Sequence, residues 1–300
     1  MSIPLRVKSA LPTERLAALR SVAVVIPCFN DGATLLEAVG SARAQSRIDE
    51  VIVVDDGSSD PATQAVVDAL GAEGVTVVHR PNGGLGAARM SGLQASQADY
   101  VVALDADDRL LPGALEALAD ALDADEKLAV VWGDYRLFGD RSYLRRTAAV
   151  LDPWQITYQN DLPATMMIRR TALLTAGGWV GPRGYEDWDL WMSLAERSAE
   201  GKRVEIVVYE YRQHGVRLLG EVSADYGATH AQLQVRHREL FSQRRAAWRR
   251  SRAPIALRVA LPLIFALPLG DHRRRLLAGA ACHLAHRRGV GLLLRRVRWG

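Results

Sequence analysis

The sequence predicts an α/β fold built on a mainly parallel sheet flanked by helices, and three observations predict it. Four short β-branched apolar runs, Val22–Ile26, Val51–Val54, Val75–Val78 and Tyr100–Leu104, have the composition of strands buried on both faces. The segments between them place apolar residues three and four apart, which is the helical period. The two signals alternate as βαβαβαβ, the half-domain of a doubly wound sheet. Ligands of such sheets bind beyond the carboxyl ends of the strands, so the residues following each run are the first candidates for chemistry.

Residues 1–20 carry Arg6, Lys8, Arg15 and Arg20 without an apolar run of signal-peptide length, and read as a leader segment with no export signal. Helices are expected over Ala33–Ala44 and Pro61–Leu70, and the small residues of Gly86–Ala95 are compatible with a third. Past Asp108, Leu111–Leu122 reads as a helix, Leu128–Trp132 as a strand, and Gly133–Gln159 as loops that shape a pocket. Thr165–Ile168 reads as a short strand, Tyr185–Glu196 as a helix and Val204–Tyr209 as the last strand. From about Asp225 the composition becomes helical and arginine-rich. The boundary is placed near Gly220, between a main domain at 21–220 and a basic helical extension at 221–300.

A chain of 300 residues with 49% hydrophobic content has a core and is not disordered. Cys28 and Cys282 form no disulfide framework or CxxC metal site, which points to a reducing, cytoplasmic setting. The net charge of +4 is concentrated at the end, where residues 236–300 hold sixteen arginines against Glu239 and Asp271. Such a segment suits a phosphate-rich surface. Nucleic acid is not the expected partner, because only Trp248 and Trp299 interleave with the arginines. The apolar stretch Ala253–Gly270, with Arg258, Pro254, Pro262 and Pro268, is marginal for a span of about 20 residues. Two readings stay open: an interfacial segment peripheral on the anionic inner face of the membrane, or a helix packed on the main domain.

The chemistry-bearing residues stand where the strands end. After Leu104, Asp105 and Asp107 at i and i+2 are expected on one face, converging on a cation, with Asp108 pointing elsewhere. Their hard oxygens suit Mg²⁺ or Mn²⁺ beside a diphosphate; alone, they also read as the acidic start of the next helix. After Val54, Asp56 is placed to accept from a ribose or base edge, while Ser58–Asp60 before Pro61 reads as a turn and N-cap. After Ile26, Pro27 breaks the strand and presents Phe29 and Asn30 to a base. The glycine-rich loop containing Asn82, Gly84 and Arg89 offers N–H groups to a phosphate. It is not a dinucleotide fingerprint, because Arg89 occupies the third glycine position and the loop follows the third strand.

In this order the segments resemble the family 2 glycosyltransferases, and the resemblance continues through Met167–Arg170, Gly177-Gly178-Trp179 and Tyr185-Glu186-Asp187-Trp188. It implies a GT-A type fold, Rossmann-like, with a nucleotide-binding half at 21–110 and an acceptor-side half at 111–220. It implies a nucleotide-diphosphate sugar donor, a glycan or lipid-linked acceptor, inversion at the sugar and a role in cell-surface glycan or glycolipid assembly. By the same resemblance Asp187 is the catalytic base, Glu186 lies beside the substrate, and His214 in Tyr209–His214 joins Asp105 and Asp107 at the metal. Met90 departs from the asparagine that often follows the arginine, and Gln243–Trp248 is only loosely similar to the QxxRW signature of processive synthases, which favours single-sugar addition. The alternatives are a sugar nucleotidyltransferase, whose glycine-rich loop would stand where Pro27–Asn30 stands, and a non-catalytic nucleotide-sugar-binding protein.

Overall fold

Seven consecutive buried residues, Val22–Cys28, form β1 at the heart of a nine-stranded sheet. The computed structural model describes residues 20–140, 142–213 and 226–294, with side chains through residue 286. β1 pairs in parallel with β2 (Glu50–Asp55) and β4 (Tyr100–Ala103), and β2 pairs in parallel with β3 (Thr76–His79). The helices between them, α1 (Gly32–Arg43), α2 (Pro61–Ala72) and α3 (Leu85–Ala95), complete the predicted βαβαβαβ order. β3 is half-exposed where a buried strand was expected, because it has a single neighbour and ends the sheet.

The remaining strands extend the sheet from β4 through β8 (Met167–Arg169), β6 (Leu128–Gly139), β9 (Glu200–Gln213) and β5 (Arg109–Leu110), with β7 (Tyr143–Arg145) paired to β6. β6 and β9 run well past the predicted Leu128–Trp132 and Val204–Tyr209. They pair along their length, so polar residues such as Asp134 and Arg203 are carried in strand geometry by ladder hydrogen bonds rather than by apolar pattern. Gly133–Gly139 is accordingly strand, not loop. The helix expected over Leu111–Leu122 begins later, as α4 (Ala114–Asp123), because Arg109 and Leu110 are taken by the β5–β9 ladder. α5 (Arg170–Ala176) has no counterpart in the sequence reading; α6 (Glu186–Glu196) matches its prediction.

Alternation along β1 sorts the core into two layers. Val22, Val24 and Ile26 pack with Leu35, Val67, Leu115 and Leu118 of α1, α2 and α4, while Val25 packs on the other side with Ala88 and Leu93 of α3 and the α6 tryptophans. α7 (Tyr226–Arg236) and α8 (Arg238–Ser242) join that second layer through Tyr226, Leu233 and Leu240. α7 and α8, beyond the proposed Gly220 boundary, therefore share the core of the main domain; Gly220 itself lies outside the described residues. α9 (Arg244–Arg250) leads to α10 (Ile255–Ala266) and α11 (Asp271–Leu294), which pack through Leu257, Leu261, Ala278 and Cys282 against Trp154 and Tyr158. Among the described residues no helix is long and apolar enough to cross a membrane.

Candidate active site

Asp105–Asp108 follow β4 as a turn, closed by the Asp108 N–H donating to the Asp105 carbonyl at 3.0 Å. This corrects the strand-face expectation for Asp105 and Asp107. The turn also gathers Asp108, so that carboxylate oxygens of Asp105, Asp107 and Asp108 all lie within 4.8 Å of one another. Burial, and then repulsion from Asp105 and Asp107, push the Asp108 carboxyl well above the usual range. β9 braces the turn: the Arg212 backbone N–H donates to Asp108 at 2.9 Å and its Nε to the Asp107 carbonyl at 2.8 Å. The β5–β9 pairing of Arg109 with Glu210 sets this register. Arg212 had no local signal as a brace, since it lies over a hundred residues away in sequence. His214 lies outside the described residues.

Arg89 projects from α3 into the same place. Its guanidinium, 1% exposed, donates to Asp105 at 2.7 Å and to Asp187 at 2.6 Å, and lies 5.9 Å from the Trp179 ring. Arg89, expected beside a nucleoside, is a buried ion-pair bridge between the acidic turn and the start of α6. Arg89 Nε has no hydrogen-bond partner, so one buried donor remains open in the centre of the cluster. Close approach of α3 makes the bridge possible. A Cβ on Gly86 would come within 2.5 Å of the Trp179 carbonyl oxygen, so only glycine lets the helix start here against the 179–186 segment.

Glu186 and Asp187 occupy the first turn of α6, where the helix dipole favours acids. Burial raises the Asp187 carboxyl, Arg89 opposes this, and the net displacement is upward; burial likewise raises Glu186. Asp187 still leaves 21% of its side chain exposed, so an approaching group has access to it. α6 is held by a buried polar knot. The Asp189 carboxylate is fully buried, accepts from Arg236 at 2.6 and 3.1 Å, and lies 3.0 Å from His237 Nε2, whose Nδ1 is 3.0 Å from Glu196. The sequence reading missed this knot, because its partners belong to segments assigned to different domains.

At the other strand ends the polar groups are largely used within the fold. Pro27 does not break the strand as expected: β1 continues through it to Cys28, and Pro27 is buried, aligned with Val54. Asn30, at φ 58°, accepts from the Ser59 and Asp60 N–H groups at 2.9 Å each, which ties the two strand-end loops together. Asp56 accepts from Gly84 N–H at 2.8 Å and Gly83 N–H at 3.1 Å, and pairs with Arg80. Hence Asp56 shapes the glycine loop instead of presenting a free carboxylate, and the Gly84 N–H is not free for a phosphate. Phe29, 46% exposed, and Asn82 face solvent beside these loops.

Residues 23–184 match the family model described as glycosyl transferase family 2. A pre-mycofactocin glycosyltransferase of Mycobacterium tuberculosis is 33% identical over 236 residues, 73% of this chain and 48% of that protein. An undecaprenyl-phosphate 4-deoxy-4-formamido-L-arabinose transferase of Aeromonas hydrophila is 38% identical over 140 residues, 44% of this chain and 42% of that protein. The chain thus spans less than half the length of these curated relatives. Among solved structures, residues 1–349 of S. aureus TarS in complex with UDP-GlcNAc superpose with a TM-score of 0.54 at 17% identity, covering 92% of this chain and 76% of that one. This agreement confirms the mainly parallel α/β architecture.

Proposed function

Because the chain belongs to glycosyl transferase family 2, we propose that it transfers a sugar from a nucleotide-diphosphate donor to an acceptor hydroxyl, with inversion at the anomeric carbon. One observation carries the reading: Asp105 and Asp187 contact a single guanidinium, so the acidic turn and the start of α6 lie within the span of one sugar diphosphate.

Asp105, Asp107 and Asp108 offer only hard oxygen donors, a set that fits Mg²⁺ or Mn²⁺. Arg212, docked on the turn two residues earlier, supports His214 as a further ligand. Such an ion, when bound, supplies positive charge to a leaving diphosphate. Phe29 is proposed to lie against the base, with Asn82 beside the nucleoside and Pro27, Asn30, Asp56 and Gly84 forming the rigid floor beneath it. Glu186 borders the sugar. Asp187 takes the proton of the acceptor hydroxyl as its oxygen bonds to the anomeric carbon; the bond from that carbon to the diphosphate oxygen breaks, and the nucleoside diphosphate departs with the electron pair. Attack opposite the leaving group inverts the centre. Arg89 keeps Asp187 ionised and oriented.

The acceptor is proposed to be a glycan or a lipid-linked group. The Aeromonas relative, whose name carries undecaprenyl-phosphate, supports the second. The test is a panel of sugar nucleotides assayed for divalent-ion-dependent turnover with wild type and Asp187→Asn. Donor binding should survive the substitution while turnover falls roughly a hundredfold. Turnover of the variant near the wild-type rate would remove Asp187 from the mechanism.

A further inference from the structure

α10 turns one row of aliphatic side chains to solvent. Ile255, Val259, Leu263 and the capping Leu267 recur every four residues and are 77, 55, 61 and 44% exposed. That spacing stacks them along one side of the helix, and Leu276 and Leu284 of α11 are likewise exposed. Single exposed leucines are ordinary on a soluble surface, whereas a contiguous row marks contact with another apolar phase. The opposite side is already occupied, since Leu257 and Leu261 seat the hairpin on Trp154 and Tyr158.

The surroundings identify the occupant. Arg245, Arg249 and Arg252 precede the row and Arg273 follows it, all exposed, while Glu239 and Asp271 are the only acids after residue 225. Trp248 of α9 is 42% exposed; its indole N–H donates to the Arg258 carbonyl at 3.3 Å, and the Arg258 guanidinium lies 4.7 Å from its ring centre. Pro262 has no N–H to give that carbonyl, so the tryptophan replaces the missing helix bond and is fixed at the edge of the row. With twelve residues, α10 is about 18 Å long, too short for a hydrocarbon core of about 30 Å.

We propose that the α10–α11 hairpin docks on an anionic bilayer surface, its aliphatic row in the boundary between headgroups and acyl chains and its arginines on the lipid phosphates. Two arginine-rimmed faces would repel each other, so charge favours lipid over a second copy of this chain. Arg275 Nη1 lies 3.5 Å from the Tyr185 hydroxyl, two residues before Asp187. A docked hairpin thereby brings the base side of the site to the membrane. This placement rests on the transferase reading; the docking itself does not.

The experiment is flotation of the full chain with phosphatidylcholine vesicles, with and without phosphatidylglycerol, across a salt series, with donor turnover measured on the same protein. Wild type should float with the anionic vesicles at low salt and be released as salt screens the arginines. The double variant Val259→Glu, Leu263→Glu should partition roughly tenfold less or weaker, with unchanged thermal unfolding because both positions are exposed. Arg249→Gln, Arg252→Gln should lose the preference for anionic lipid. Wild type left unbound at low salt, or the Glu variant binding as wild type does, overturns the proposal. So does a concentration-dependent dimer that buries the row and excludes vesicles. Flotation without any donor turnover would refute the transferase reading and leave the docking standing.

Discussion

Arg89→Met removes the guanidinium buried between Asp105 and Asp187 while keeping much of the side-chain volume. Breaking a buried pair from one side costs about 3–5 kcal/mol, because the partners keep their charge and lose their compensation. Here the two carboxylates retain 26 and 21% exposure, so water and relaxation take up part of that penalty. A loss of roughly 2–4 kcal/mol is expected, which at about 2–4 °C per kcal/mol lowers the unfolding midpoint by some 4–16 °C. The assay is thermal unfolding followed by circular dichroism, with and without Mn²⁺. Mn²⁺ should recover more of the midpoint in Arg89→Met than it adds to wild type, because a cation on the acidic turn replaces part of the missing charge. Arg89→Lys should fall between, since an ammonium cannot span both carboxylates as a guanidinium fork does. A midpoint within about 1 °C of wild type would refute the argument, as would an equal Mn²⁺ effect in both proteins.

Asp107→Ala should weaken divalent-ion-assisted donor binding by at least about tenfold in calorimetry, the scale of a lost ligand; unchanged affinity would place the ion elsewhere. Gly86→Ala should destabilise by roughly 1–3 kcal/mol, because its Cβ would press on the Trp179 carbonyl and push α3 from the 179–186 segment; urea unfolding measures this. Burial lowers the His237 imidazole, but Asp189 and Glu196 outweigh it and hold it above 6.5. A raised folded pKa adds stability that is full below the unfolded value and is lost as pH rises through the folded one. The midpoint difference between wild type and His237→Gln should therefore shrink as pH climbs above about 6.5, and a difference independent of pH would rule out the charged knot. Transfer should fall as pH drops through the raised Asp187 value, at a higher pH than an ordinary carboxylate of 3.8 would allow.

What the sequence determined by itself is the sheet half made of local units. Each of Val22–Ile26, Val51–Val54 and Tyr100–Leu104 carries its own strand signal, and Asp60 with Pro61 carries its own helix start, with Asp60 accepting from the Thr63 N–H at 2.9 Å. The acidic turn and the Glu186-Asp187 pair were legible for the same reason, as contiguous motifs at element ends. Only the tertiary structure decided which groups are spent on the fold. Asn30 and Asp56 are polar residues at strand ends, as the sequence reading required, yet their partners are N–H groups about thirty residues away, and nothing local announces that their hydrogen bonds are satisfied there. Strand alternation points Asp108 away from Asp105 and Asp107, whereas the turn they form gathers all three carboxylates. Arg89, read as part of a loop, acquires its role from Asp105 and Asp187, which three different elements bring to one point. The arginine-rich end shows the same division: composition alone left packing and membrane contact open, and the packed side of α10 opposite its bare aliphatic row gives each face its own place. Pattern along a chain reports what each segment wants buried, whereas pairing of charges and hydrogen bonds across a hundred residues exists only once the segments have met.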